Sequence, residues 1–132
     1  MENVNKFTIL IADRNPNVRV FLKREMMAVG YMVRLAKDSR EVLKWVFGQA
    51  PLDLLILDLD LPDADEVKLF EQLNDRIPQL PVVLHSLKTD YNDYPEVLLA
   101  AVFVEKEGNS IDHLKKVVAQ MLNRTELKVS KA

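Results

Sequence analysis

A short apolar run, Leu54-Leu55-Ile56-Leu57, ends on Asp58. Such a run is too short for most helices and right for a strand buried on both faces. A carboxylate at the carboxyl end of that kind of strand lies where open α/β sheets bind ligands and carry out chemistry. The chain leaves the strand through Leu59-Asp60-Leu61-Pro62, with a second acid two positions on and a proline that stops the strand.

The flanking sequence alternates in the same way. Phe7 to Ala12 reads as a buried strand. Pro16 to Val29 reads as a helix, with Asn15 as N-cap, Pro16 in the first turn and Gly30 as the stop. Its inward face is predicted to carry Val18, Phe21, Leu22 and Met26. Tyr31 to Leu35 is a second strand. A second helix, capped by Asp38 or Ser39, runs to about Phe47, with Val42, Leu43, Val46 and Phe47 inward. Asp53 to Leu57 is the third strand. Asp65 to Arg76 is a helix with Val67, Leu69, Phe70 and Leu73 inward. Pro81 to His85 is a strand, Pro95 to Ala101 a short helix and Val102 to Glu105 a strand. A last helix runs from Ser110 to about Leu122, with Ile111, Leu114, Val117, Val118 and Met121 on one side.

Strands separated by helices of this length imply βαβ units, a parallel sheet and helices on both faces. The 132 residues suit one domain, and 48% hydrophobic content is enough for a packed core. That domain is expected over 5–123, followed by a polar tail or truncated linker over 124–132. The formal charge of −2 argues against sequence-independent DNA binding. The absence of cysteine excludes disulfides, thiolate catalysis and cysteine-bound zinc. His85 and His113 are too few for a histidine metal cluster. No segment approaches the roughly 20 apolar residues of a membrane span. Residues Met1 to Lys6 do not read as a signal peptide, so the expected location is the cytoplasm.

Taken in order, the strand ends supply Asp13, Asp58, Ser86 and Lys106. That series, within Ile9-Leu10-Ile11-Ala12-Asp13, Asp53 to Pro62, Pro81 to Ser86 and Ala100 to Lys106, resembles the receiver domain of bacterial response regulators, the CheY-like family. The resemblance extends from about Phe7 to Leu122. It implies a flavodoxin-like, doubly wound five-stranded parallel sheet with strand order 2-1-3-4-5. It also implies two-component signalling. A histidine kinase or phosphotransfer protein would pass a phosphoryl group to Asp58, which acts as a carboxylate nucleophile. By resemblance, Mg2+ would take Asp13, Asp58 and the carbonyl of Asp60. Lys106 and Ser86 would contact the phosphoryl group, and Ser86 with Phe103 would switch a partner-binding face. Output would go to a downstream domain or protein, with a homodimer through the same face as one form. No nucleic-acid or membrane contact by this chain is implied.

Taken singly, each of these residues has an ordinary explanation. Ser86 can satisfy backbone groups after a strand, Phe103 can be a core aromatic, and Lys106 can be one more solvated lysine. Their order and spacing carry the resemblance.

The departures lie close to the same site. The family usually has two adjacent acids after its first strand, whereas this chain has Asp13-Arg14. Arginine cannot bind a metal and stays cationic. Arg14 could pair with Asp58 or with a phosphoryl group, or Asp60 could lend the missing carboxylate. Glu66 replaces a common glycine, and the stretch from Ser86 to Phe103 is about two residues short. These features support an alternative: a pseudo-receiver, a protein-binding module in which Arg14 and Asp58 form a fixed ion pair. Asp58-Leu59-Asp60 also looks like the first motif of haloacid-dehalogenase-like phosphohydrolases. The Leu61-Pro62 continuation and the absence of a later acidic pair argue against a multiple-turnover enzyme.

Overall fold

The computed structural model describes residues 6–63, 66–87 and 101–131, with the backbone alone described for Glu66 and 124–131. Its elements run β1 (Thr8–Ala12), α1 (Pro16–Val29), β2 (Met32–Ala36), α2 (Ser39–Val46), β3 (Leu54–Leu57), α3 (Glu66–Asn74), β4 (Val82–Ser86), β5 (Ala101–Glu105) and α4 (Ser110–Lys131). The five strands form one parallel sheet in the order β2-β1-β3-β4-β5. This is the doubly wound arrangement expected from the alternation of apolar runs and amphipathic segments.

Strand parity builds two cores. Leu10, Leu55, Leu57, Val82 and Leu84 point to one side and pack with Val42, Val46, Leu69, Phe70 and Leu73 of α2 and α3. Ile9, Ile11, Leu54, Ile56 and Val83 point to the other and pack with Leu22, Met26, Leu114, Val118 and Leu122 of α1 and α4. The central strands β1, β3 and β4 are therefore buried along their whole length, while the edges β2 and β5 are only partly covered. Near-continuous apolar runs in the centre follow from two-sided burial.

The helix ends follow local chemistry. The Asn15 side chain accepts the amide of Asn17, Pro16 opens α1, and Gly30 closes it at φ 117°. Asp38 rather than Ser39 caps α2, accepting the amide of Glu41 at 2.9 Å. A second carboxylate also reaches this end. Asp63, from the loop after β3, accepts the amides of Ser39 at 2.8 Å and Arg40 at 3.3 Å. The loop that leaves the Asp58 strand is thus fastened to α2.

Several expectations need correction. Phe47, predicted inward, is 54% exposed, because it is the C-cap of α2 and lies past its last buried turn. Val67 is 45% exposed, in the first turn of α3 where the helix edge still faces outward. Phe21 sits at the rim rather than in the core. β4 includes Ser86, one residue beyond the expected end, and β2 is shifted to end at Ala36. α3 ends at Asn74, ahead of Arg76. α4 continues to Lys131 instead of stopping near Leu122, since Arg124 to Lys131 contains no glycine or proline to end it. The short helix expected over Pro95–Ala101 lies outside the described residues, apart from Ala101, which opens β5. Among the described residues, no helix is long and apolar enough to cross a membrane.

Candidate functional site

The ladder extends one residue past the strands and brings four strand ends together. The amide of Asp13 donates to Ala36, that of Asp58 to Ala12, and that of Lys106 to Ser86, at 3.1, 2.9 and 2.8 Å. Asp13, Asp58, Ser86 and Lys106 therefore emerge side by side along the carboxyl edge, as residues far apart in sequence can only do in a parallel sheet.

Their side chains meet. Lys106 Nζ donates to Asp13 Oδ2 at 2.7 Å and to Asp58 Oδ2 at 2.8 Å. Ser86 Oγ donates to Asp58 Oδ1 at 2.8 Å and accepts the amide of Leu59 at 2.7 Å. The amide of Asp60 donates to Asp58 Oδ1 at 3.0 Å, and that of Asn15 to Asp13 Oδ1 at 2.9 Å. Both carboxylates are buried, with Asp13 1% and Asp58 5% exposed.

This environment separates the two acids. Burial pushes Asp58 up, but Lys106, the Asp60 amide and the Ser86 hydroxyl together outweigh it and hold its pKa below the usual carboxylate range. For Asp13 burial prevails over Lys106 and the Asn15 amide, and the neighbouring Asp58 charge adds to it, so its pKa is raised. Burial lowers Lys106, but its bonds to Asp13 and Asp58 prevail and keep it charged. Asp58 is thus an ionised carboxylate with a cation and a hydroxyl against it.

Arg14 does not reach Asp58. Its Nη1 lies 3.4 Å from Asp60 Oδ1, with the two side chains 50% and 63% exposed. The Arg14–Asp58 ion pair expected of a pseudo-receiver is therefore replaced by a looser Arg14–Asp60 pair, because Lys106 already occupies Asp58. Arg19, in the first turn of α1, donates to the carbonyls of Asp13 at 2.7 Å and Arg14 at 3.1 Å, which pins the loop from which Arg14 projects.

Phe103 lies opposite Leu84 in the ladder and packs, half-buried, against the core shared by α2 and α3. Ser86 ends the same face of the adjacent strand, so the two expected switch residues are neighbours across β4 and β5.

Sequence reasoning gave His85 no role, yet it is 5% exposed and its Nε2 lies 3.1 Å from Ser110 Oγ. Burial and the nearby Lys106 charge depress its pKa to about 4. It shares the strand face of Val83, and that parity was the signal available. A cavity of about 370 Å3 between α1 and the start of α4 is lined by His85, Phe21, Lys106 and Ile111.

The implied Mg2+ can be tested against these donors. Hard divalent cations need several oxygen ligands. Asp13 and Asp58 provide two carboxylates, and both are engaged by the same lysine. The third acid is replaced by Arg14, whose guanidinium occupies the Asp60 side chain. Among the described residues no three acidic or histidine side chains converge on one point. The donor set is one carboxylate short and carries an extra positive charge, so it does not fit the family's metal site.

Comparison with known proteins agrees with the geometry. Residues 9–119 match the profile of the response regulator receiver domain. The chain is 30% identical over 115 residues to the virulence transcriptional regulatory protein PhoP of Salmonella typhimurium, covering 86% of this chain and 49% of PhoP. It is 39% identical over 77 residues to the sensor protein EvgS of Escherichia coli, covering 58% of this chain and 6% of EvgS. The chain thus spans about half or less of the length of these curated relatives. Among solved structures, the response regulator TrrA of Thermotoga maritima, in complex with Mg2+ and BeF, superposes with a TM-score of 0.76 at 28% identity, covering 87% of this chain and 98% of that one. A CheY-like receiver domain from Methanospirillum hungatei superposes at 0.75 with 21% identity, over 94% of this chain and 99% of that one. The strand order, the four residues at the sheet edge and the matched span together place this chain in the response regulator receiver domain family of two-component signalling.

Proposed function

We propose that this chain accepts a phosphoryl group on Asp58 and changes the surface around β5 in response. The observation that carries this reading is the Lys106 ammonium, 2.8 Å from Asp58, with the Ser86 hydroxyl on the other carboxylate oxygen. Phosphoryl transfer asks little covalent chemistry of a protein and much positioning and charge neutralisation. A carboxylate oxygen of Asp58 attacks phosphorus. The bond to the donor breaks, and the leaving group, a histidine nitrogen or the carboxylate of a small acyl phosphate, departs with the electron pair. Lys106 takes up charge on the phosphoryl oxygens. Ser86 turns its hydroxyl from Asp58 Oδ1 to a phosphoryl oxygen. That movement loosens the Leu59 amide and opens space beside Phe103 on the same sheet face, which biases the two-state surface.

The donor in this reading is a histidine kinase or a phosphotransfer protein, and the output is an attached domain or a separate partner. The chain acts once per phosphoryl group and is not a multiple-turnover phosphohydrolase. A phosphorylation-independent binding module is the second reading. Its motive is Arg14, which stands where the family usually has an acid.

The test is intact mass after incubation with a small acyl phosphate and magnesium, for the wild type and Asp58→Asn. A single phosphoryl adduct confined to the wild type supports the acceptor reading. Equal uptake by Asp58→Asn rejects it, and no adduct on either protein favours the binding module.

A further inference from the structure

We propose that Arg14 takes the place of a divalent cation, so that Asp58 accepts its phosphoryl group without metal and Arg14 leaves Asp60 to bind that group. The inference rests on the acceptor reading above. It starts from the mismatch between the donor set and a metal. The buried carboxylates Asp13 and Asp58 share Lys106, and the third acid at the site edge, Asp60, is paired with the Arg14 guanidinium. A dication entering there meets two cations, and each carboxylate it could use already has one of them as a partner. A phosphoryl group entering there meets the same two cations as partners.

The hold on Arg14 suits such an exchange. Its backbone is pinned by Arg19 through the carbonyls of Asp13 and Arg14. Its head is tied only at 3.4 Å, and both partners are at least half exposed. Exposed pairs of this kind contribute little, so releasing Asp60 is cheap. Asp60 follows Asp58 by two residues and its amide already bonds the Asp58 carboxylate, so the guanidinium moves along one short loop. A planar fork of donors matches two oxygens of a phosphoryl group, a geometry unavailable to lysine.

In the transfer from an acyl phosphate, an Asp58 oxygen forms the new bond to phosphorus. The bond from phosphorus to the acyl oxygen breaks, and the carboxylate leaves with the electron pair. No proton is gained or lost. Lys106 and Arg14 share the charge on the three peripheral oxygens. Asp60 loses its side-chain partner on the loop that Asp63 fastens to α2.

The experiment compares phosphoryl uptake from acetyl phosphate, by acid-quenched intact mass, in excess chelator and in magnesium. The proteins are wild type, Arg14→Ala, Arg14→Asp and Asp58→Asn, each checked for an unchanged melting profile. The expected wild-type rate in chelator is within about threefold of that in magnesium, while Arg14→Ala loses at least roughly tenfold in chelator. Arg14→Asp is expected to label only with magnesium, an exchange of dependence that a merely structural arginine would not produce. Wild type that labels only with magnesium overturns the proposal, as does Arg14→Ala that keeps the wild-type rate in chelator. Labelling of Arg14→Asp with magnesium, beside a wild type that never labels, overturns it while leaving Asp58 a competent acceptor. Failure of both proteins under every condition removes the acceptor reading itself.

Discussion

Replacing Lys106 by methionine keeps the apolar stem and removes the charge that two buried carboxylates share. Asp13 and Asp58 are 1% and 5% exposed, and the lysine side chain is 23% exposed. Removing one partner of a buried pair costs roughly 3–5 kcal/mol, and the partly open lysine places this case near the low end, at about 3 kcal/mol near pH 8. The loss depends on pH in a definite direction. Without Lys106, burial and mutual repulsion raise both carboxyl pKa values above their unfolded values of about 4. The penalty is complete above the raised values and vanishes as pH falls toward the unfolded ones. The gap between variant and wild type therefore narrows from about pH 8 to about pH 5. In the wild type, the raised Lys106 pKa adds stability below its unfolded value, lost as pH rises through the folded one. The lowered Asp58 pKa adds stability above its unfolded value, lost as pH falls through the folded one. Urea unfolding reads the difference directly. With a slope near 2 kcal/mol per molar, the midpoint should fall by roughly 1.5 M at about pH 8. At about pH 5 the fall should be less than half of that. An equal fall at both pH values, or a loss under about 1 kcal/mol at the higher one, would refute the shared-lysine account.

Ser86→Ala leaves the buried Leu59 amide without its acceptor and should cost about 1–3 kcal/mol in urea unfolding, with Thr in its place recovering most of the loss. His85 has a pKa of about 4 in the fold, below its unfolded value, so the wild type should lose stability as pH falls from about 6.5 toward 4. His85→Leu should flatten that slope, and proton NMR should find the His85 ring neutral down to about pH 5, with protonation setting in only near pH 4. Asp63→Ala removes the second carboxylate from the start of α2, and hydrogen exchange at Ser39 and Arg40 should speed while exchange in the central strands stays as it was.

The fold was legible because two-sided burial writes itself into short apolar runs such as Leu54 to Leu57. The caps at Asn15, Asp38 and Gly30 mark helix ends by local hydrogen bonding and backbone preference. Phe47 and Val67 misled because helical spacing says which side a residue faces but not where the covering layer ends. The site was legible only as an ordered series of strand ends. Nothing near Lys106 marks it, since its partners lie 93 and 48 residues away and meet it only through the sheet. The partner of Arg14 was missed for the same reason. The sequence suggested Asp58 or a phosphoryl group and kept Asp60 for a metal, whereas Arg14 pairs with Asp60 because Lys106 and Ser86 already satisfy Asp58. His85 escaped notice because a lone histidine in a strand has no local signature, and its contact with Ser110 depends on how α4 begins.

The most direct test of the central claim locates the phosphoryl group on the wild-type chain. After treatment with a small acyl phosphate, borohydride reduction converts an aspartyl phosphate to homoserine, and peptide mass mapping then identifies the residue. The account predicts conversion at Asp58 alone. Conversion at Asp13 or Asp60, or at no residue, would contradict it.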